Sequence, residues 1–261
     1  MNAVRPIPWT LVSLRARGDH RALRRAAARH GGRLLALSPW TLQACTDEAS
    51  RQRLAEVLQL PVLVFTSPAA VRAAAALQPL QALPGQHWLA VGAGTAAALR
   101  RAGVTAAQAP RRMDSEGLLA LPALAAAPRV GLVTAPGGRG MLTPALQARG
   151  STVLRADVYE RVPLALADAD IQRLLALQAP AALALSSGEA LQQVLAQLPA
   201  PAVAILRGTF AVAASERLAT LARDLGWEQV VVAGSPRPAA LARTAAQALA
   251  EASAQALTTR V

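Results

Sequence analysis

The sequence offers little material for disulfide or metal chemistry. Cys45 is the single cysteine among 261 residues, so no disulfide forms within the chain. The three histidines, His20, His30 and His87, stand far apart, and none has a Cys or His partner at a spacing typical of zinc ligands. We therefore assign these four residues to packing or surface positions and predict no metal site.

Aromatic residues are scarce as well, at 3% of the chain, which leaves no visible platform on which nucleobases could stack. The charge, by contrast, is one-sided: 27 Lys and Arg stand against 15 Asp and Glu, a formal net charge of +12. Such a chain attracts polyanions, but its arginines are spread along predicted helices. Nucleic acid, a small polycarboxylate substrate and the composition bias of an Ala- and Arg-rich proteome are alternative explanations of this charge.

Long hydrophobic runs are also missing. Hydrophobic residues make up 53% of the sequence, but many are alanines, which favour helices. The longest run without a polar side chain, residues 117–128, is interrupted by Pro122 and is too short to span a bilayer. Residues 1–8 hold Arg5 and prolines instead of an apolar signal core. We expect a soluble protein located in the cytoplasm.

Short apolar segments alternate with Ala-, Leu- and Arg-rich segments of helical length along the whole chain. This alternation is typical of an α/β protein in which helices cover a parallel sheet. The predicted strands are Thr10–Leu14, Arg33–Leu37, Val62–Thr66, His87–Val91, Val130–Thr134, Thr152–Val158, Ala181–Leu185, Ala202–Leu206 and Gln229–Ala233.

The turns between strands and helices carry the same chemistry twice. Ser67 follows a predicted strand in the first half, and Ser186 and Ser187 do so in the second; Gly92 and Ser215 come after them at comparable intervals. The unpaired N–H groups of a helix N-terminus favour anions. The pattern predicts two similar doubly wound units, whose turns either bind a carboxylate-rich ligand or simply cap helices.

Two glycine-rich turns resemble nucleotide-binding motifs. Residues 92–97 formally fit a dinucleotide fingerprint, with Asp114 downstream, but that acid leads into a helix instead of closing a second strand. Residues 135–140 lack the Lys-Ser or Lys-Thr of a phosphate loop. We predict no nicotinamide or flavin binding. Arg139, in the second turn, is either a surface residue or a carboxylate partner.

Tyr159 is the single tyrosine of the chain. It either packs at the end of a strand or donates a hydrogen bond or a proton to a leaving hydroxyl. No Ser/His/Asp arrangement, paired-carboxylate motif or His-Glu helix motif is visible, which argues against a hydrolase or a metalloenzyme.

In their order along the chain, these segments resemble uroporphyrinogen-III synthases from about residue 10 to residue 248. The segments that carry the resemblance are Leu11–Arg15, Phe65–Val71, Ala90–Gly92 with Thr95-Ala96, Asp114–Leu119, Pro136–Arg139, Gly150, Val158–Glu160, Ser186-Ser187, and Ser235–Pro238 with Leu241. The sequence departs from the family at two places. Leu14-Arg15-Ala16 replaces the usual Thr-Arg-Pro, and Ala214-Ser215-Glu216-Arg217 replaces the common Gly-x-Thr-Thr turn.

The resemblance implies two flavodoxin-like domains joined by a two-stranded linker, with a cleft between them. The chain would begin in the first domain with residues 1–37, build the second with 42–157, and finish the first with 163–261. The linkers would lie at about residues 37–42 and 157–163, which would place Tyr159 at a hinge facing the cleft.

The resemblance also implies a substrate, hydroxymethylbilane, a linear tetrapyrrole with acetate and propionate arms, and no cofactor. Loss of the terminal hydroxyl as water gives an azafulvene cation, whose attack on the far pyrrole forms a spiro intermediate. Reopening and closure then invert ring D to give uroporphyrinogen III, a heme precursor. Without enzyme, the bilane closes to the type I isomer.

Residue by residue, the family's site maps onto a catalytic Tyr159 and a set of substrate-binding positions. These positions are Arg15, Ser67, Gly92, Thr95, Arg139, Ser186, Ser187 and Ser215. The resemblance further implies a monomer that makes a transient contact with the upstream hydroxymethylbilane synthase and binds neither nucleic acid nor membrane.

Two other classes of function stay open on the sequence alone. A non-catalytic two-lobed module would bind a tetrapyrrole or another polyanion without changing the isomer ratio. A basic nucleic-acid binder would show steeply salt-dependent affinity for DNA or RNA.

Overall fold

The computed structural model describes residues 8–112, 115–136, 142–178 and 180–258. The chain divides into two compact units: unit 1 comprises the chain up to Thr41 and from Pro163 onward, and unit 2 comprises Leu42–Val162.

Strands and helices alternate along most of the chain. The strands are β1 Trp9–Ser13, β2 Gly32–Ala36, β3 Trp40–Ala44, β4 Val62–Phe65, β5 His87–Ala90, β6 Arg129–Thr134, β7 Thr152–Asp157, β8 Tyr159–Pro163, β9 Ala181–Leu185, β10 Phe210–Ala213 and β11 Val230–Val232. The helices are α1 Arg21–Ala28, α2 Glu48–Leu58, α3 Pro68–Leu77, α4 Ala93–Arg101, α5 Ser115–Leu119, α6 Pro122–Ala125, α7 Leu142–Gln147, α8 Asp168–Leu175, α9 Gly188–Leu195, α10 Ala200–Arg207, α11 Glu216–Asp224 and α12 Pro238–Thr258.

Unit 1 contains a five-stranded parallel sheet in the order β11-β10-β9-β1-β2. The order reverses between β1 and β9, because the chain moves outward from β1 to β2 on one side and from β9 to β11 on the other. β9 is buried at every position and reads as a continuous apolar run, as expected for a strand covered on both faces. The carboxyl ends of β1 and β9 form the switch point at which doubly wound sheets bind ligands.

Unit 2 contains a four-stranded parallel sheet in the order β5-β4-β6-β7, with its own reversal between β4 and β6. Buried side chains cover both of its faces in two separate clusters. Phe65 and Trp88 stack in one of these clusters with ring centroids 5.4 Å apart. Gly131 permits close packing in the centre of the sheet, since a Cβ there would lie 2.8 Å from Val57 Cγ1 and 2.8 Å from Leu63 Cδ2.

The two segments in which the chain passes between the units pair with each other. β3 and β8 form a two-stranded sheet, flanked by the bonds from Cys45 N–H to Val158 O (3.0 Å) and from Leu164 N–H to Pro39 O (2.8 Å). Position 45 thus lies near 158 and position 39 near 164. Residue numbers rise along one strand as they fall along the other, so the pair is antiparallel.

The predicted fold class, α/β with two doubly wound parallel sheets and a two-stranded linker, is confirmed. Eight of the predicted strands lie within one residue of the observed ends. The prediction of a strand at Ala202–Leu206 is wrong: these residues belong to α10, with Pro199 at its N-cap and Pro201 in its first turn. The strand comes later, at Phe210–Ala213.

Candidate active site

A hydroxyl-bearing turn follows β4 at the switch point of unit 2. Ser67 has the extended backbone of an N-cap, and its Oγ accepts a hydrogen bond from the N–H of Ala70 at 3.0 Å. Pro68 is the first residue of α3, where its missing N–H costs nothing. The sequence thus fixes both the start of the helix and the position of the Ser67 hydroxyl.

Tyr159 contacts this turn from β8. Its side chain is 8% exposed, and its phenolic oxygen lies 3.2 Å from Ser67 Oγ. Because Ser67 Oγ already accepts from Ala70, its own hydrogen is free to be donated to the phenolic oxygen. In this arrangement the hydrogen of Tyr159 is available to a further acceptor.

A second hydroxyl pair bridges the ends of β4 and β6. Thr66 Oγ1 donates to Thr134 Oγ1 over 2.9 Å, and Thr134 is almost fully buried. Sequence reasoning missed Thr134. The signal was available, because Thr134 ends a predicted strand next to the one that ends at Thr66.

Gly92 and Thr95 begin α4 after β5. Gly92 is the N-cap and makes no side-chain bond, so the helix start is lined by backbone. Gly94 lies beside α3, since a Cβ there would stand 3.7 Å from Pro68 Cγ. Thr95 is 4% exposed, and its hydroxyl therefore faces the protein interior. β5 is the edge strand of its sheet, which is not the position of a dinucleotide fingerprint.

In unit 1, predicted residues follow three consecutive strands of the sheet. Arg15 comes after β1, Ser186 and Ser187 after β9, and Ser215 after β10. Ser187 Oγ accepts from the N–H of Ala190 at 3.2 Å and caps α9. Ser215 is the exposed N-cap of α11, and its side chain makes no capping bond.

Arg15 is half-buried beyond the carboxyl end of β1. Its Nη1 donates to Asp19 Oδ2 over 3.0 Å, whereas its buried Nε has no hydrogen-bond partner in the described part of the chain. Arg139, a predicted binding residue, and Asp114, of the dinucleotide-like motif, lie outside the described residues.

The structure brings predicted residues together in unit 2. Ser67 and Tyr159 are in contact, and Gly92 begins the helix beside Ser67. The serines at 67, 187 and 215 all stand at N-cap positions, and the side chains of Ser67 and Ser187 accept a capping hydrogen bond whereas that of Ser215 does not. Capping leaves first-turn N–H groups available, and the predicted binding roles stay predictions.

The isolated cysteine and one histidine have altered proton affinities. Burial, the largest cause, raises the pKa of the Cys45 thiol above its ordinary value, which keeps the thiol protonated and a poor nucleophile. Burial and the nearby Arg24 lower the pKa of His20. His20 is 7% exposed, so its assignment to a packing position fits.

Within the described ranges, no group of His, Cys, Asp and Glu residues could hold a metal ion. Nor does any helix of those ranges have the length and apolar character needed to cross a membrane.

The family model of uroporphyrinogen-III synthase HemD matches residues 21–243. The uroporphyrinogen-III synthase of Escherichia coli K12 is 32% identical over 160 residues, which are 60% of this chain and 65% of that protein. That of Salmonella typhimurium LT2 is 34% identical over 170 residues, 61% of this chain and 69% of that protein. The chain thus spans slightly less than two thirds of the Escherichia coli relative.

Solved structures show the same fold. A mutant uroporphyrinogen III synthase from Thermus thermophilus has a TM-score of 0.61 at 20% identity and covers 93% of this chain and 99% of that one. The Helicobacter pylori uroporphyrinogen-III synthetase has a TM-score of 0.57 at 16% identity, with 90% and 97% covered. Because the family model matches most of the sequence, the chain belongs to the uroporphyrinogen-III synthase HemD family.

Proposed function

We propose that this chain cyclises hydroxymethylbilane to uroporphyrinogen III, with loss of water and inversion of ring D. Membership of the HemD family over residues 21–243 supports the reaction. The structural observation that carries the proposal is the contact of 3.2 Å between Tyr159 and Ser67. It places a phenol at the carboxyl end of β4, and when Ser67 donates to the phenolic oxygen, the hydrogen of Tyr159 is free for a ligand.

In the first step, Tyr159 acts as the proton donor. A pyrrole nitrogen of the terminal ring pushes its lone pair toward the hydroxymethyl carbon, and the C–O bond breaks. The phenol transfers its proton to the leaving hydroxyl, which departs as water and leaves an azafulvene cation. The hydrogen of Ser67 then stabilises the phenolate oxygen, and this bond is stronger than one to the neutral phenol.

The remaining steps are proposed to depend on positioning. The cation must meet the substituted carbon of ring D, form the spiro intermediate, reopen and close at the other carbon. That carbon then loses its proton, which restores the proton that Tyr159 gave up in the first step. Holding a flexible chain in one reactive conformation can remove a large part of such a barrier. We accordingly assign no cofactor to the reaction.

Carboxylate arms would be held by donors at the carboxyl ends of the strands in each unit. The candidates are Ser67, Gly92 and Thr95 in unit 2 and Arg15, Ser186, Ser187 and Ser215 in unit 1, with Arg139 proposed from the sequence alone. Thr95 would contribute through its backbone, because its side chain is buried. The net charge of +12 fits a polycarboxylate substrate.

The proposal extends to the setting of the reaction. We infer a monomer that acts in the cytoplasm, in heme biosynthesis, and receives its unstable substrate through a transient contact with hydroxymethylbilane synthase. Size-exclusion chromatography with light scattering, with and without that synthase, tests the monomer and the contact together.

The test of the reaction is the isomer composition of the product. Dialysed, purified protein is mixed with freshly made hydroxymethylbilane, the product is oxidised, and the porphyrin isomers are separated. We expect predominantly type III. Type I alone, formed at the spontaneous rate in the presence of folded protein, would identify a binding module and overturn the proposal.

A further inference from the structure

A buried histidine in unit 1 joins two serines at the carboxyl ends of neighbouring strands. His20 Nδ1 lies 2.9 Å from Oγ of Ser13, the last residue of β1. Its Nε2 lies 2.8 Å from Oγ of Ser38, which follows β2. His20 is 7% exposed and Ser13 is 0% exposed, whereas Ser38 is only half-buried. One end of this chain of hydrogen bonds is therefore sealed and the other is open.

The direction of the hydrogen bonds follows from the sealed end. A neutral imidazole has one N–H donor and one acceptor. Within the part of the chain that the structure describes, His20 Nδ1 is the sole hydrogen-bond partner of Ser13 Oγ. A buried hydroxyl needs an acceptor for its hydrogen, so Ser13 donates to Nδ1. The ring proton must then be on Nε2, which donates to Ser38.

The neutral form of His20 that this argument requires is favoured by its surroundings. Burial and Arg24 lower the pKa of His20, Arg15 acts in the same direction, and Asp19 and Asp170 oppose them. Protonation would also place a hydrogen on Nδ1 and leave the hydrogen of Ser13 without an acceptor.

The open end carries a fixed donor. Because Ser38 Oγ accepts from His20, its own hydrogen points elsewhere, and its half-exposed position makes that hydrogen available to a ligand. The pairing register of β1 and β2, continued beyond the ends of the strands, aligns Arg15 with Ser38. β1 pairs Ser13 with Ala36, and Arg17 N–H donates to Trp40 O over 2.9 Å further along. Arg15 and Ser38 occupy matching positions between these two pairs.

We propose that Ser38 and Arg15 form a carboxylate-binding subsite of unit 1, in which His20 is a positioning residue that fixes the hydroxyl of Ser38 as a donor. The proposal rests on the proposed function for the identity of the carboxylate, an acetate or propionate arm of the bilane. The buried Nε of Arg15 has no partner in the described residues. The exposed pair with Asp19 is weak enough to be exchanged for a ligand.

The tautomer is tested by NMR without any ligand. Long-range ¹H–¹⁵N correlation of ¹⁵N-histidine-labelled protein at neutral pH, assigned with His→Gln variants, gives the protonation of each ring nitrogen. We expect a protonated Nε2 and an unprotonated Nδ1 in His20. A protonated Nδ1 would overturn the proposal, because Ser38 would then donate to His20 instead of to a ligand.

Binding is tested with uroporphyrin III, the stable oxidised product with the same carboxylate arms, in titrations followed by tryptophan fluorescence. We expect Ser38→Ala to raise Kd roughly tenfold, as for loss of a hydrogen bond to a charged group, and Ser38→Thr to recover most of it. His20→Leu should lose affinity for uroporphyrin III. His20→Gln should keep most of it, because its amide can accept from Ser13 and donate to Ser38. Equal Kd values for Ser38→Ala and the unmodified protein would overturn the subsite.

Thr209→Val is the matched control, because Thr209 is a buried hydroxyl of the same unit that donates to Leu206 O over 2.7 Å at the amino end of β10. Failure of the subsite and failure of the proposed function are distinguishable. A protein that binds uroporphyrin III but forms no type III product refutes the function alone, and the Ser38 comparison is then decided by binding. A protein that binds no uroporphyrin III refutes the subsite, and the function is then decided separately by the isomer composition of the product.

Discussion

Ser67 and Tyr159, separated by 92 positions in sequence, place their hydroxyl oxygens 3.2 Å apart. One hydroxyl caps α3 and the other belongs to the first residue of β8. The phenol is therefore held against the start of a helix. Its hydrogen-bond partner, the Ser67 hydroxyl, is held in place by the cap that it forms on α3. Within unit 2, this contact gives the phenol of the single tyrosine a hydrogen-bond partner at the start of α3.

Replacing Tyr159 with Phe should separate this chemistry from packing. Tyr159→Phe keeps the buried ring, so we expect a loss of about 1 kcal/mol in the free energy of unfolding, as for one hydrogen bond. Formation of the type III isomer should slow by about 10²-fold, the lower end for general acid catalysis. Steady-state assay and urea titration measure the two effects.

Ser151→Ala is the control for Tyr159→Phe, since Ser151 Oγ donates to Ala127 O over 2.7 Å before the amino ends of β7 and β6, away from the carboxyl end of β4 that Tyr159 contacts. It should lose similar stability and keep the turnover of the unmodified protein. If Tyr159→Phe turned over at the unmodified rate, the proton-donor role would be wrong.

Two replacements at Ser67 distinguish capping from catalysis. Ser67→Ala removes a helix cap, which costs about 1 kcal/mol of stability, whereas Ser67→Gly costs a few tenths of a kcal/mol. Both remove the hydroxyl that contacts Tyr159. We expect the two variants to differ in urea midpoint and to share the same reduced turnover. A Ser67→Gly enzyme as fast as the unmodified one would assign Ser67 to capping alone.

His20 should make unfolding pH-dependent. Burial lowers its pKa below the ordinary 6.5, so the unfolded chain binds a proton at a higher pH than the folded chain does. The stabilising contribution is fully present above pH 6.5 and is lost as pH falls through the folded pKa. The slope of unfolding free energy against pH should exceed that of His20→Gln by up to about 1.4 kcal/mol per pH unit in that window.

Urea titrations at a series of pH values measure this slope. Thr209→Val, which changes a buried group of the same unit that carries no charge, should keep the slope of the unmodified protein. Identical slopes for His20→Gln and the unmodified protein would show that burial of His20 has no effect on its proton affinity.

The centre of the unit 2 sheet should not tolerate a methyl group at Gly131. The added Cβ would stand 2.8 Å from side-chain carbons of Val57 and Leu63 and 3.0 Å from Val57 O. We expect Gly131→Ala to lose about 1–3 kcal/mol of stability, as other overpacked cores do. Gly208→Ala, at a helix end with a φ of −68° and no contact under 3.4 Å, should lose none. Thermal unfolding of both variants decides the matter.

Much of the fold is predictable because most short apolar runs between polar turns form buried parallel strands in an α/β protein. Ala181–Leu185 is such a run, and its prediction matches β9 at both ends. Residues 202–206 are equally apolar, but the prolines at 199 and 201 favour a helix start, and the strand follows at Phe210. Short apolar runs do not distinguish a buried helix from a strand by period alone.

The candidate site is less predictable, because its contacts depend on tertiary structure. Ser67 is recognisable from its turn, but its hydroxyl partner is 92 positions away. The sequence predicts only a packing or surface position for His20, because Ser13 and Ser38 stand 7 and 18 positions from it at no recognisable spacing. The parallel pairing of β1 and β2 brings the two serines to one edge, where the histidine can reach both.

The most direct measurement is the fraction of type III isomer as a function of protein concentration at a fixed concentration of hydroxymethylbilane. Spontaneous closure competes at a constant rate and gives type I, so a catalyst raises the type III fraction in proportion to its share of the total rate. We predict a rise toward complete type III with the unmodified protein, displaced to higher concentrations by Tyr159→Phe. A type I product whose amount and rate do not depend on the concentration of folded protein would contradict the account.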